Sequence, residues 1–272
     1  MYSPLIVAVS STAVAGIAFM LYGVAFHPAL LAGAFLVTLG VYTFNMVTDK
    51  GEDAVNMPER EQYFLSDTNH LLAVALGAYG GALVLGATVS LFAVPVFLVP
   101  LILGILYSTP VGARRFKDYL VGKNVTVSLS FGLEAALLPA VLGFEWIHFS
   151  LVLSFIFIKG MVNTIVFDTR DMQGDAAVGV DTIPVRLGVD NTKWLLLAVN
   201  SLFIPWLLMV VHFSVFMLYV PVLAFSIAYS YFYIIYLCRR GNRIPKSHYG
   251  FLVDGEMAVL FVLFVLTAFL AG

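Results

Sequence analysis

The sequence predicts an all-α integral membrane protein. It is read as one bundle of nine transmembrane helices, a single domain over residues 1–272, with the reactive end at the cytoplasmic side. Three observations carry this expectation. Hydrophobic residues make up 61% of the chain and charged residues only 11%, with mean hydropathy +0.98, whereas soluble domains carry about a quarter charged residues. The apolar runs are continuous and of helix length, unlike the alternating strands of an outer-membrane barrel. Polar residues collect in every second connection, which gives the runs a consistent orientation.

The remaining composition narrows the function. A net charge of −2 argues against a nucleic-acid partner. The single cysteine, Cys238, has no partner for a disulfide or a metal-binding pair. The first apolar run lacks a basic leader and is too long for a cleavable signal, so it is taken as the first span.

In order, the expected spans are 4–26, 29–47, 71–90, 92–108, 122–143, 147–167, 192–212, 214–238 and 255–272. Connections after the odd spans are short and nearly uncharged, while those after the even spans are long and polar. Thirteen of the fourteen lysines and arginines fall in or beside the long connections, and only Lys159 lies within a span. The excess of positive charge places these connections and the N-terminus in the cytoplasm.

The second and sixth spans both end in carboxylates on this side. In FDTRDMQGD, residues 167–175, Asp168, Asp171 and Asp175 are spaced i, i+3 and i+7, one face of a helix. In FNMVTDKGED, residues 44–53, Asn45, Asp49 and Asp53 are spaced i, i+4 and i+8. The two form a weak internal duplication in which Met46 aligns with Asp168. Like charges crowded this closely raise one another's pKa unless a cation sits among them. Oxygen ligands without histidine or thiolate point to Mg²⁺, which completes its shell with waters and substrate phosphates. Between the two acidic ends lies a basic connection carrying Arg114, Arg115, Lys117 and Lys123. Carboxylates, Mg²⁺, a diphosphate and Lys or Arg together neutralise a polyphosphate leaving group. The remaining connections hold an expected ordered loop, AAVGVDTIPVRLG, and a basic juxtamembrane segment, CRRGNRIPKSHYG.

The motifs resemble those of the UbiA superfamily of intramembrane prenyltransferases. The first family motif, N-D-x-x-D-x-x-x-D followed by asparagine, proline and arginine, is similar to Asn45, Met46, Asp49 and Asp53 followed by Asn56, Pro58 and Arg60. The second, D-x-x-D-x-E-G-D followed by G-x-x-T-L-P-V-x-x-G, is close to DTRDMQGDAAVGVDTIPVRLG. The family's Y-S-x-P and F-K loop resembles Tyr107-Ser108-Thr109-Pro110 and Phe116-Lys117. Met46 departs from the usual aspartate and removes one ligand, and EQYFLSD stands where a basic Pro-Ser-Gly run often follows.

The resemblance implies a Mg²⁺-dependent transfer of a prenyl group from an isoprenyl diphosphate through an allylic cation, which must be shielded from water. The acceptor would be a lipophilic aromatic ring or lipid alcohol, and diphosphate is released. Asp49, Asp53, Asp168, Asp171 and Asp175 would be the catalytic carboxylates and, with Asn45, the metal ligands. Asn45, Arg60, Arg115, Lys117 and Lys123 would bind the diphosphate, and Tyr107 and Ser108 would face the acceptor.

Two charges stand outside the motifs. Glu134 and Lys159 lie at similar depths, about 15 Å and about 13 Å into adjacent antiparallel spans, so they are expected to pair. Asn163 and Thr164, one turn above Lys159, extend a polar lining toward Asp168. The five histidines show no i, i+4 pair.

The alternative function is a cation-coupled transporter or channel with an acidic cytoplasmic vestibule. Transport favours ionisable groups near the midplane and broken helices, whereas these carboxylates gather at one surface. A CDP-alcohol phosphotransferase would need D-G-x-x-A-R, but Asp254-Gly255 leads to GEMAVL. Aspartyl proteolysis would need two aspartates inside spans.

Overall fold

In the computed structural model, which describes residues 4–48, 68–108, 115–177, 179–239 and 244–272, helices lie over each of the expected runs. The expected site residues Asp49, Asp53 and Arg60, together with Asn56, Pro58, Thr109, Pro110 and Arg114, fall outside the described residues. The helices are α1 Pro4–Tyr22, α2 Pro28–Thr48, α3 Thr68–Val89, α4 Ala93–Ser108, α5 Gly122–Ala140, α6 Trp146–Ala177, α7 Ile183–Ser201, α8 Phe203–His212, α9 Val220–Leu237, α10 Lys246–Tyr249 and α11 Gly255–Ala271. A 3₁₀ turn at Phe116–Asp118 precedes α5, and a π turn at Gly250–Asp254 joins α10 to α11.

Among the described residues, seven helical stretches are long and apolar enough to cross a membrane. Of the other two, α4 is described over only 16 residues. α5 is long enough, but Lys123, Asn124, Thr126, Ser128, Ser130 and Glu134 lower its hydropathy. The helices close a ring. Neighbours pack in the order α1, α2, α3, α4, α5, α6, α7, α9, α11, and α11 returns to α1, which also touches α5.

Lipid tails are as apolar as leucine, so helix association in a membrane relies on close packing at small residues and on interhelical hydrogen bonds. A Cβ at Gly86 of α3 would come within 2.8 Å of the Phe97 ring on α4, and one at Gly160 of α6 within 2.8 Å of Ser128 on α5. Indole Nε1 of Trp206 donates to Leu151 O at 3.0 Å, tying α8 to α6. Cys238 is buried and unbonded to sulfur.

The expected Glu134–Lys159 pair does not form. Lys159 Nζ points toward α9 and α11, where it reaches Glu256 Oε1 at 2.5 Å, Ser230 Oγ at 2.5 Å and Ser226 O at 2.9 Å. Ser226 Oγ also donates to Glu256 Oε1, at 3.1 Å. The reason is an element boundary. The last span was expected to begin at residue 255, where α11 does begin, but α10 and the π turn extend it back to Lys246 as one helical stretch, so Glu256 lies ten residues into that stretch rather than at its polar end. A buried ammonium takes the carboxylate that also lets its other hydrogens be satisfied.

The segment before the seventh span is also more helical than expected. Helix α7 starts at Ile183, with Thr182 as N-cap and Pro184 in its first turn, and kinks at Gly188, where φ is +75°. That left-handed conformation suits glycine.

Candidate active site

Helix α6 runs for 32 residues, about 48 Å at 1.5 Å per residue. This exceeds the roughly 30 Å hydrocarbon core, so the helix can span it and still carry FDTRDMQGD at a polar end. The helix persists to Ala177, and Val180 N donates back to Asp175 O at 2.8 Å after the turn at Gly179, where φ is +75°.

At this end a cavity of ≈ 400 Å³ lies among α1, α2, α4, α5, α6, the π turn and α11. Of the sequence-derived site residues, Asn45, Tyr107, Arg115, Lys117, Lys123, Asp171 and Asp175 line it. Met46, at the departure from the first motif, lines it as well.

Asp168 and Ser108 are not among the lining residues. Asp168 is buried against the start of α5, where Lys123 Nζ donates to Oδ1 at 2.7 Å and Asn124 Nδ2 to Oδ2 at 2.8 Å. The three aspartates share a helical stripe, but at the height of Asp168 that stripe meets α5, whereas higher up it faces the cavity. Ser108 Oγ is buried without a hydrogen-bond partner among the described residues.

Asp171 is held by the adjacent Arg170, whose Nε reaches Oδ1 at 2.8 Å and whose Nη2 reaches Oδ2 at 2.5 Å. The guanidinium also lies over the Phe167 ring, 4.8 Å from its centroid. Lys117 is buried, its Nζ 5.6 Å from the centroid of the Tyr107 ring.

Several lining residues were not nominated from the sequence: Arg170, Tyr42, Phe131, Phe167 and Asp254. Tyr42 was findable, being three residues before Asn45 and therefore on the same helix face. Arg170 lies inside the motif itself, but neighbours at i, i+1 do not ordinarily face each other on a helix. The rings of Tyr42 and Phe131 stand 6.4 Å apart, so α2 and α5 together present aromatic surface to the cavity.

Among the described residues, no three histidine, cysteine, aspartate or glutamate side chains gather as a metal site. The donors present nonetheless suit a hard cation. Asn45 Oδ1 is buried and accepts no hydrogen bond among the described residues. With Asp171 and Asp175 on the same cavity it makes an all-oxygen set, which is the chemistry Mg²⁺ requires.

The model of the UbiA prenyltransferase family matches residues 8–254. The chain belongs to the UbiA prenyltransferase family. It is a prenyltransferase and a multi-pass integral membrane protein with an all-helical UbiA-like fold. A curated relative, digeranylgeranylglyceryl phosphate synthase of Methanothermobacter thermautotrophicus, is 29% identical over 255 residues, covering 87% of each chain. Among solved structures, a UbiA homolog from Archaeoglobus fulgidus bound to GPP and Mg²⁺ superposes with TM-score 0.74 at 16% identity, covering 98% of this chain and 97% of that one. The apo UbiA homolog from Aeropyrum pernix K1 gives TM-score 0.78 at 12% identity, covering 99% of this chain and all of the other (100%).

Proposed function

We propose that this UbiA family member transfers the prenyl group of an isoprenyl diphosphate to a lipophilic aromatic or lipid-alcohol acceptor, with Mg²⁺, in the cavity beneath Asp171 and Asp175. All nine helical runs cross the bilayer in this reading, and the cavity's polar end, both Asp-rich motifs and the N-terminus face the cytoplasm. The observation that carries it is the convergence on one cavity of oxygen donors (Asn45, Asp171, Asp175), cations (Arg115, Lys117, Lys123, Arg170) and aromatic rings (Tyr42, Tyr107, Phe131, Phe167). The neighbour from Archaeoglobus fulgidus, bound to GPP and Mg²⁺, supports the donor and metal. The name of the methanogen relative supports a lipid-alcohol acceptor.

Asn45, Asp171 and Asp175, with Asp49 and Asp53, would hold Mg²⁺, which when bound neutralises diphosphate charge. The protein's own residues account for the rest. Arg115, Lys117, Lys123 and Arg170 face the leaving group, and Lys123 is held in place by Asp168. The bond from prenyl C1 to the diphosphate oxygen breaks heterolytically, and its electron pair leaves with the diphosphate. The allylic cation left behind meets the faces of Tyr42, Phe131 and Phe167, which stabilise positive charge electrostatically. The apolar walls exclude water that would capture it. An electron pair from the acceptor ring or hydroxyl then forms the new bond at C1, and the acceptor's proton passes to the released diphosphate.

The test is equilibrium binding of geranyl diphosphate to the full chain in nanodiscs, followed by mass detection of prenylated products from aromatic and lipid-alcohol acceptors. Tight binding only with Mg²⁺, lost in Asp171→Ala, is the expected result. Equal binding with and without Mg²⁺ would refute the reading.

A further inference from the structure

The cavity continues well below its charged end. Glu134 lines it on α5, ten residues beyond Asn124, which is about 15 Å deeper along the helix at 1.5 Å per residue. Its side chain is 4% exposed, and Oε1 has no hydrogen-bond partner among the described residues. The cation at comparable depth is already engaged: Lys159 has three hydrogens and three acceptors, Glu256 Oε1, Ser230 Oγ and Ser226 O. Ser130, one turn nearer the charged end on the same face of α5, also lines the cavity and continues the polar stripe.

A carboxyl group at this depth is costly unless something bonds to it. A prenyl chain is pure hydrocarbon and cannot do so. If the tail of the donor filled this part of the cavity, the carboxyl group would be buried against methyl groups. An acceptor can satisfy it, provided it carries a hydroxyl or carbonyl oxygen remote from the atom that attacks C1. We propose that Glu134 forms the deep acceptor subsite of this enzyme and binds such a remote oxygen, so that the acceptor lies along the α5 wall while the prenyl tail leaves by another, apolar direction. The inference rests on the prenyl-transfer reading of the cavity. Glu134 is accordingly a specificity-determining residue, remote from the bonds that break and form.

Two phenols that differ only in a remote hydroxyl, 4,4′-biphenol and 4-phenylphenol, test this in the full chain in nanodiscs loaded with Mg²⁺ and the unreactive donor geranyl thiolodiphosphate. The wild type is expected to bind the biphenol about tenfold more tightly, the worth of one buried hydrogen bond. Glu134→Leu should bind both phenols equally, and Glu134→Gln, which still hydrogen-bonds, should keep most of the preference. All three proteins should bind the thiolodiphosphate alike. Equal affinity of the wild type for the two phenols, or an undiminished preference in Glu134→Leu, overturns the proposal. The wild-type comparison decides the matter even if the leucine variant does not fold. Failure of the thiolodiphosphate to bind the wild type would instead refute the prenyl-transfer reading, and the two-phenol comparison without donor would still report on Glu134.

Discussion

Asp168 and Asp171 are three residues apart in one motif, yet their surroundings differ. Asp171 lines the cavity, whereas both oxygens of Asp168 are occupied by Lys123 and Asn124. Asp171→Ala should therefore abolish Mg²⁺-promoted binding of geranyl diphosphate, as measured by calorimetry. Asp168→Ala should keep Mg²⁺ affinity within a few-fold while costing about 1–3 kcal/mol of stability through the Asn124 amide it leaves buried without an acceptor, read as a lower Tm. Arg170 offers a second contrast. Its bidentate grip on Asp171 would compete with a metal for the same oxygens. Arg170→Gln should raise the affinity for Mg²⁺ alone and weaken that for geranyl diphosphate, because one of the cations proposed to face the leaving group is lost.

Helices α6, α9 and α11 meet at the Lys159–Glu256 pair, whose side chains are 1% and 2% exposed. Removing one partner strands a charge, whereas removing both does not. Lys159→Met or Glu256→Met alone should cost about 3–5 kcal/mol, and the double variant should recover most of that loss; denaturant titration in detergent reads both. This pairing also shows where sequence reasoning ran out. The depth of Glu134 and Lys159 could be read from helix geometry, and so could the helical spacing of FDTRDMQGD. The partner could not be read, because it depended on α10 and the π turn extending the last span back to Lys246. Boundaries are poorly specified in an apolar run, where a basic juxtamembrane segment such as RIPKSHYG can be loop or helix with little change in composition. The orientation of Asp168 was hidden for a related reason. A stripe on one helix is a local property, but which neighbour covers each height of it depends on how two helices cross. Aromatic residues carried the least signal, since phenylalanine suits lipid, core and cavity alike.

At the scale of the whole chain, the nine proposed crossings place the two termini on opposite sides of the membrane. Single cysteines introduced at Lys246 and at Trp146 should therefore react with an impermeant maleimide from opposite faces of oriented vesicles, Lys246 from the cytoplasmic one. Labelling of both from the same face would contradict the arrangement. The native Cys238 is buried and should stay silent in that experiment. One further consequence concerns the bilayer itself. The described part of helix α4 has 16 residues, about 24 Å against a hydrocarbon thickness of about 30 Å, and the exposed Leu91 and Phe92 before it make up only part of the difference. In the proposed arrangement the bilayer thins, or flanking side chains reach to the interface, beside α4, whose far end brings Tyr107 to the cavity. A bilayer matched to the described length of α4 would hold Tyr107 at the cavity without deforming the lipid, so turnover is expected to be faster in short-chain than in long-chain phosphatidylcholine.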